Sequence, residues 1–217
     1  RSFMNTFDDA QLQEASSLLR CEGQVALAHL EGRFVLLGRA YDAQAAAEIN
    51  RIKARIIGRP LVMCFLNLKL ASRSYLSSPL LSLLPHFKDR VTVSVPAPPE
   101  ISFAAHCGVG MIGVRWVTAE PLNQLMLALD EPLLISSANP TGRPSARHLE
   151  DLDSYEMHHL PLIGDPPSSS NPSVLKRATV VGLVNSELCV LSPGDTSLSE
   201  IRTEWERLKY VGEVLLG

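Results

Sequence analysis

The chain has 217 residues, of which 46% are hydrophobic and 20% are charged, so it is long enough to bury a full hydrophobic core. Its formal net charge of −3 excludes a broad basic field, and any contact with nucleic acid would depend on a local cluster of cations. No apolar run of about 18 residues and no signal pattern is present. We therefore expect a cytoplasmic protein without membrane contact, with residues 1–217 forming a single domain whose core spans about 8–209.

The hydrophobic pattern predicts helices and strands in alternation. A first helix from Asp8 or Asp9 to Cys21 carries apolar residues at helical spacing, and further helical segments begin at Ala43, Ser78 and Pro121. A last helix places its apolar side chains on one face, at Leu198, Ile201, Trp205 and Leu208. The strand-like runs are QVALAHL, RFVLLG, LVMCFL, VTVSV, MIGVRWV, PLLIS, TVVGLV and LCVL. This order favours a mixed α/β domain.

The Pro- and Ser-rich segment from Gly164 to Ser173 predicts an exposed or mobile loop, which is either a linker or an active-site lid. The four cysteines are widely spaced and form no metal or redox motif, so we expect them to be reduced: Cys21, Cys64, Cys107 and Cys189. His158 and His159 precede a strand-like LPLIG run, and adjacent strand residues point to opposite faces. No metal site is predicted.

Polar residues follow the apolar PLLIS strand. Ser137, Asn139 and Thr141 offer short donors and acceptors, while Pro140 and Gly142 shape a turn in which backbone N–H groups can approach a phosphate. Ligands bind at the carboxyl ends of strands in open α/β sheets. A plain structural turn is the alternative interpretation.

Positive charge concentrates in NRIKARIIGRPL, where Lys53, Arg55 and Arg59 precede a strand. Lys53 and Arg55 can converge on one anion only if the helix ends near Ala54, because residues two apart do not share a helix face. A solvated basic helix end is the alternative. Arg115 is a lone charge in an apolar strand, where it meets either an anionic partner or solvent.

Together these segments resemble the YrdC-like family of threonylcarbamoyl-AMP synthases. The family's K-x-R motif is similar to Lys53–Arg55, its G-V-R strand end to Gly113–Arg115, and its S-A-N-x-[ST]-G-x-P motif to Ser137–Pro144. RVTVSV, RATVVGLV and VLSPGD resemble three further family segments, and the ordered match runs from about Gly23 to Ile201. The resemblance implies a twisted open mixed sheet with flanking helices around a positively charged cleft.

The family's activity implies that ATP, bicarbonate and L-threonine yield threonylcarbamoyl-AMP and pyrophosphate, a precursor for tRNA modification, with Mg²⁺ as cofactor. Partner proteins of tRNA modification are implied as well. The resemblance implies that Lys53 and Arg55 are the catalytic residues. The residues implied to bind the nucleotide are Lys53, Arg55, Thr92, Arg115, Ser137, Asn139 and Thr141.

Several positions depart from the family pattern. The P-T-D-T-x-Y-G-L loop, which holds the amino acid and bicarbonate, is replaced by LAHLEGRFVLLG, and Lys88-Asp89 stands where Pro-Gly is usual. A Thr, a Ser and an Arg of the family are replaced by Met111, Ala178 and Ser192. The substrate pocket is assigned to His29, Glu31, Met111 and Thr179.

These departures leave two alternatives beside the family activity. One is a non-catalytic paralogue that binds a nucleotide or RNA, and the other is carbamoyl transfer to a different small-molecule acceptor.

Overall fold

The computed structural model describes residues 6–30, 32–54, 61–67, 70, 74–101, 107, 110–164 and 177–216. The helices are α1 Asp9–Leu19, α2 Ala43–Ile52, α3 Glu120–Leu129, α4 Leu149–Ser154 and α5 Leu198–Leu216, with a 3₁₀ helix at Pro79–His86. The strands are β1 Ala26–Leu30, β2 Arg33–Arg39, β3 Val62–Phe65, β4 Val91–Pro96, β5 Met111–Trp116, β6 Leu133–Ser137, β7 Leu162–Ile163, β8 Thr179–Val184 and β9 Glu187–Ser192.

Within the described residues, nine strands form one sheet in the order β7-β1-β2-β6-β3-β5-β4-β8-β9. β6 lies between β2 and β3 and is antiparallel to both. The pairs β1–β7, β3–β5 and β4–β8 are parallel. The sheet is therefore mixed, with helices beside it, which confirms the α/β class predicted from the sequence.

The two faces of the sheet have different roles. α2 packs on one face at Gly38, where an added Cβ would lie 3.0 Å from the Cβ of Ala45. On the opposite face, an added Cβ at Gly113 would lie 3.1 Å from a methyl group of Thr92 and 3.1 Å from one of Val62. Both faces therefore depend on a glycine for close packing, and the second face carries the cleft described below.

Most predicted elements are found near their predicted positions. α1 begins directly after Asp8, whose side chain accepts a hydrogen bond from the backbone N–H of Gln11 and so caps the helix. The helix predicted from Ser78 is a 3₁₀ helix, and Pro85 within it lacks the N–H that a regular α-helix uses at that position.

His158 and His159 precede a strand, as the sequence indicates, but they are not themselves in an extended conformation, so the alternation of strand side chains does not apply to them. They lie in a turn before the two-residue strand β7, with their rings 6.1 Å apart. Of the predicted loop at 164–173, all residues beyond Gly164 lie outside the described part of the chain. Among the described helices, none is both long and apolar enough to cross a lipid bilayer.

Candidate functional site

A cleft of about 280 Å³ opens on the face of the sheet that carries Gly113. Its floor comes from β2, β6, β3 and β5, and its rim from the start of α3 and the residues before β8. The lining residues are Leu30, Arg33, Val35, Val62, Asp89, Arg115, Val117, Ala119, Leu122, Ile135, Ser136, Ser137, Arg177 and Ala178.

The loop that follows β6 is held by its own side chains. Ser137 Oγ donates to Asn139 Oδ1 at 2.5 Å, and Asn139 Nδ2 donates to the carbonyl oxygens of Arg143 at 2.6 Å and Pro140 at 3.0 Å. Gly142 has a φ of +87°, a left-handed conformation that glycine adopts without steric cost. The loop is therefore preorganised at the edge of the cleft.

Lys53 joins this loop to the end of α2. The helix ends at Ile52, and Ala54 has a φ of +45°, so the helix stops where the sequence interpretation requires. The Lys53 side chain is buried, with 4% of the residue exposed. In addition, the Lys53 carbonyl oxygen accepts hydrogen bonds from the Thr141 backbone N–H at 2.9 Å and from the Thr141 hydroxyl at 3.0 Å.

The Lys53 ammonium group has four oxygen acceptors within hydrogen-bonding distance. They are the carbonyl oxygens of Ser137 at 2.5 Å and Asn139 at 2.9 Å, Asn139 Oδ1 at 3.1 Å and Ser137 Oγ at 3.3 Å. An ammonium group has three protons, so the loop already uses its donor capacity. The structure thus brings together Lys53, Ser137, Asn139 and Thr141, four residues that the sequence singled out.

Arg115 lies on β5, three strands away from β2 across the floor of the cleft. Its Nε donates a hydrogen bond of 2.8 Å to Oγ1 of Thr92 on β4, and Thr92 is fully buried. The hydroxyl therefore orients a guanidinium group that lines the cleft. This pairing joins two further residues that the sequence assigned to nucleotide binding.

Sequence reasoning missed two other arginines of the cleft, Arg33 and Arg177. Each stands at or before the start of a strand, where a single charge is typical of a solvated strand end.

Asp89 is the acidic residue of the cleft lining. Its φ of +62° is a left-handed conformation that glycine adopts easily, which suits the Pro-Gly that the family usually has at this position. Its carboxylate accepts hydrogen bonds from the backbone N–H of Thr118, at 2.7 Å, and from the Thr118 hydroxyl. Three arginines against one aspartate leave the lining cationic.

A family model described as telomere recombination, covering Sua5, YciO and YrdC proteins, matches residues 19–194. The chain belongs to the Sua5/YciO/YrdC family. None of the curated proteins compared with it matches its sequence.

Solved structures support the same fold for this Sua5/YciO/YrdC chain. P. abyssi Sua5 complexed with L-threonine has a TM-score of 0.71 and 20% identity, covering 91% of this chain and 58% of that one. E. coli YciO has a TM-score of 0.71 and 19% identity, covering 89% and 94%. Full-length HypF in the phosphate- and nucleotide-bound form has a TM-score of 0.65 and 19% identity, covering 85% and 29%. The chain thus spans little more than half the length of the Sua5 structure.

Four residues were predicted to form the substrate pocket of this family member. The three that the structure describes, His29, Met111 and Thr179, do not line the cleft. His29 pairs with Phe34 across β1 and β2, and the strand alternation places both on the face opposite Arg33 and Val35. Burial, and to a lesser degree the nearby His148, lowers the pKa of His29. His29 instead lines a separate cavity of about 80 Å³.

Thr179 and Met111, which were also predicted to form the substrate pocket, lie outside the lining of the cleft. Thr179 is buried, and its hydroxyl donates to the Thr196 carbonyl oxygen at 2.6 Å and accepts from the Thr196 backbone N–H at 3.2 Å. Met111 begins β5 opposite Pro96 and lies on the same face as Arg115, four residues before it. Arg55 and Glu31 lie outside the described residues.

Within the described part of the chain, no three His, Cys, Asp or Glu side chains are grouped as metal ligands. Mg²⁺ bound with a nucleotide takes most of its ligands from phosphate oxygens and water, and one or two carboxylates suffice. Asp89 is the carboxylate of the cleft lining, so the residues present fit a metal that arrives with its phosphates.

Proposed function

We propose that the chain binds ATP with Mg²⁺ in the arginine-lined cleft and forms a carbamoyl adenylate from bicarbonate and an amine. L-threonine is the default acceptor, and the product serves tRNA threonylcarbamoyladenosine modification together with partner proteins of that process. The observation that carries the proposal is the attachment of Lys53 to the Ser137–Thr141 loop beside a cleft with three arginines.

The reaction needs cations and oriented donors, and no covalent enzyme nucleophile. The nitrogen of the neutral amine bonds to the bicarbonate carbon with loss of one water molecule, which gives a carbamate anion, and a carbamate oxygen then attacks the α-phosphorus of ATP. The bond from that phosphorus to the bridging oxygen breaks, and pyrophosphate leaves. Arg115, fixed by Thr92, neutralises phosphate charge, Ser137 orients phosphate oxygens, and Lys53 holds the loop and adds positive potential beneath it. Mg²⁺ supplies further neutralisation when bound to the phosphates.

A specific observation favours a second candidate, a non-catalytic paralogue that binds a nucleotide or RNA. Of the four residues predicted to form the acceptor pocket, the three that the structure describes, His29, Met111 and Thr179, do not line the cleft. A site that lacks hydrogen-bonding partners for its substrate loses orders of magnitude in selectivity. The cleft would then retain the nucleotide and lose turnover.

The test is pyrophosphate release from ATP and Mg²⁺, with and without bicarbonate, across L-threonine and a panel of other amines. Release that requires bicarbonate and threonine supports the proposal, and release with another amine replaces only the acceptor. Release with carbamoyl phosphate in place of bicarbonate would instead indicate carbamoyl transfer. ATP binding without release under any condition would establish the non-catalytic paralogue.

Substitution of Lys53 tests whether pyrophosphate release depends on the cleft. Lys53→Met removes the ammonium group under the loop and is expected to abolish release and weaken ATP binding. Lys209→Met is the matched control, because Lys209 lies on an exposed part of α5, where it pairs with Glu206. Unchanged ATP binding in Lys53→Met would contradict the assignment of this cleft.

A further inference from the structure

The three arginines of the cleft lie at two separate ends. Arg33 opens β2 and pairs with Leu30, beyond the level at which Val35 faces Ser137 on β6. Arg115 faces Cys64, which in turn faces Leu133 at the other end of β6. β6 and β3 lie between the strands of these arginines, which separates β2 and β5 by about 14 Å.

Arg177 lies at the Arg115 end. It precedes β8, which starts beside Val91 on β4, and β4 in turn pairs with the strand of Arg115. Asp89 belongs to this end as well, because it precedes β4. The two cationic ends therefore differ in composition, since one holds two arginines with an aspartate and the other holds Arg33.

The stretch between the two ends is uncharged among the described lining residues. It consists of the serines Ser136 and Ser137 near Arg33 and of an apolar floor formed by Val35, Val62 and Ile135. The lining therefore offers cationic donors to an anionic group at each end, with the hydroxyl groups of the two serines beside Arg33. Arginine recognises phosphate and carboxylate oxygens through paired N–H donors, and serine hydroxyls add single donors.

We propose that Arg33 and Ser137 form a second oxyanion subsite, distinct from the anion site at Arg115 and Arg177. Its ligand is either the far end of the polyphosphate or a carboxylate of the amine acceptor. The inference rests on the proposed function only for the identity of these ligands. It places a specificity-determining cation within the LAHLEGRFVLLG segment, at the first residue of β2.

The test is calorimetric binding to the full chain, which needs no turnover. The probes are ATP, AMP, pyrophosphate, L-threonine and L-aspartate, with the amino acids measured in the presence and absence of ATP. The variants are Arg33→Ala, Arg33→Lys and Arg115→Ala. Arg51→Ala is the matched control, because the Arg51 side chain is 67% exposed and pairs with Glu48 on α2.

We expect Arg33→Ala to weaken at least one probe by about tenfold or more, as loss of a charge-assisted hydrogen bond does, while Arg33→Lys retains part of the affinity. A loss for ATP and pyrophosphate identifies the polyphosphate as the ligand, and a loss for an amino acid alone identifies the acceptor carboxylate. A probe weakened by Arg33→Ala but not by Arg115→Ala shows that the two sites are separate.

Binding of every probe to Arg33→Ala as tightly as to Arg51→Ala overturns the subsite, and so does a wild-type chain that binds none of them. Arg33→Lys keeps the test decisive if Arg33→Ala does not fold. Absence of pyrophosphate release alongside an Arg33-dependent ATP affinity would overturn the proposed function and leave this inference standing.

Discussion

Arg115 and Thr92 lie on neighbouring strands, and the guanidinium Nε donates a 2.8 Å hydrogen bond to the threonine hydroxyl. Thr92 is fully buried, so no water competes for that hydroxyl. Thr92 therefore acts as a positioning residue, since it sets the direction in which Arg115 enters the cleft.

Replacing Thr92 with Val removes the hydroxyl and keeps the branched shape. We expect the free energy of unfolding to fall by about 1–2 kcal/mol, because Arg115 Nε loses its partner in a half-buried position. The dissociation constant for ATP should rise several-fold, while Thr92→Ser restores most of the affinity. Urea denaturation and calorimetry measure both effects, and an ATP affinity equal to wild type in Thr92→Val would contradict the positioning role.

Thr179 provides a contrasting case outside the cleft. Its hydroxyl bridges the backbone N–H and carbonyl oxygen of Thr196, so Thr179→Val leaves two buried polar groups unpaired. We expect a loss of about 2 kcal/mol in the free energy of unfolding, with Thr179→Ser close to wild type. ATP and amino acid affinities measured below the unfolding temperature should not change. A selective loss of amino acid affinity would restore Thr179 to the substrate pocket.

Glu131 makes stability depend on pH. Burial raises its pKa above 4.5, although the Tyr41 N–H at 2.7 Å and Arg39 at 3.4 Å favour the charged form. The folded chain therefore holds this proton more tightly than the unfolded chain. The contribution of Glu131 to stability is fully present below about pH 4.5 and is lost as the pH rises through the folded pKa.

Glu131→Gln tests this sign, since glutamine does not titrate. The stability of the variant relative to wild type should increase as the pH rises above about 4.5 and should level off above the folded pKa. Urea denaturation of both proteins across the acidic and neutral range measures the difference. A difference that is constant across that range would show that the pKa of Glu131 is not raised.

The cysteines should differ in reactivity. Burial raises the pKa of the Cys64 thiol to about 12 and that of Cys107 to about 11, whereas Cys21 is exposed. Because the thiolate is the nucleophile, alkylation of the native chain near pH 8 should label Cys21 and leave Cys64 and Cys107 unmodified. Peptide mass spectrometry after labelling gives the result, and the same treatment in denaturant provides the control. Rapid native labelling of Cys64 would contradict its burial.

Sequence patterns predicted most of the fold, because each long strand is an apolar run and each of the helices α1, α2, α3 and α5 has an apolar face, whereas the six-residue helix α4 buries only Leu152 and was not predicted. The end of α2 near Lys53 was predicted from the positive charges that precede β3, and the loop after β6 was predicted from its Pro140 and Gly142. β7 was less accessible to prediction, since its two residues, Leu162 and Ile163, are too short for any periodicity.

The cleft itself was harder to predict than its motifs. Arg33 and Arg177 are 144 residues apart along the chain and share a cleft only because β6 inserts between β2 and β3 and β8 pairs with β4. The orientation of His29 away from the cleft depends on the register of β1 against β2, which no pattern in the sequence sets to within one residue. Roles assigned to Lys53, Thr92, Arg115, Ser137, Asn139 and Thr141 stay predictions until they are measured.

The pairing of β6 between two earlier strands and of β8 with β4 has a consequence for synthesis of the chain. The walls of the cleft run from Leu30 to Ala178, so a nascent chain that has not yet released β8 from the ribosome lacks the rim beside Arg115. Contacts of such wide sequence separation form slowly. A nucleotide bound in the cleft as proposed would therefore stabilise the completed domain by mass action and would not stabilise the partly synthesised one.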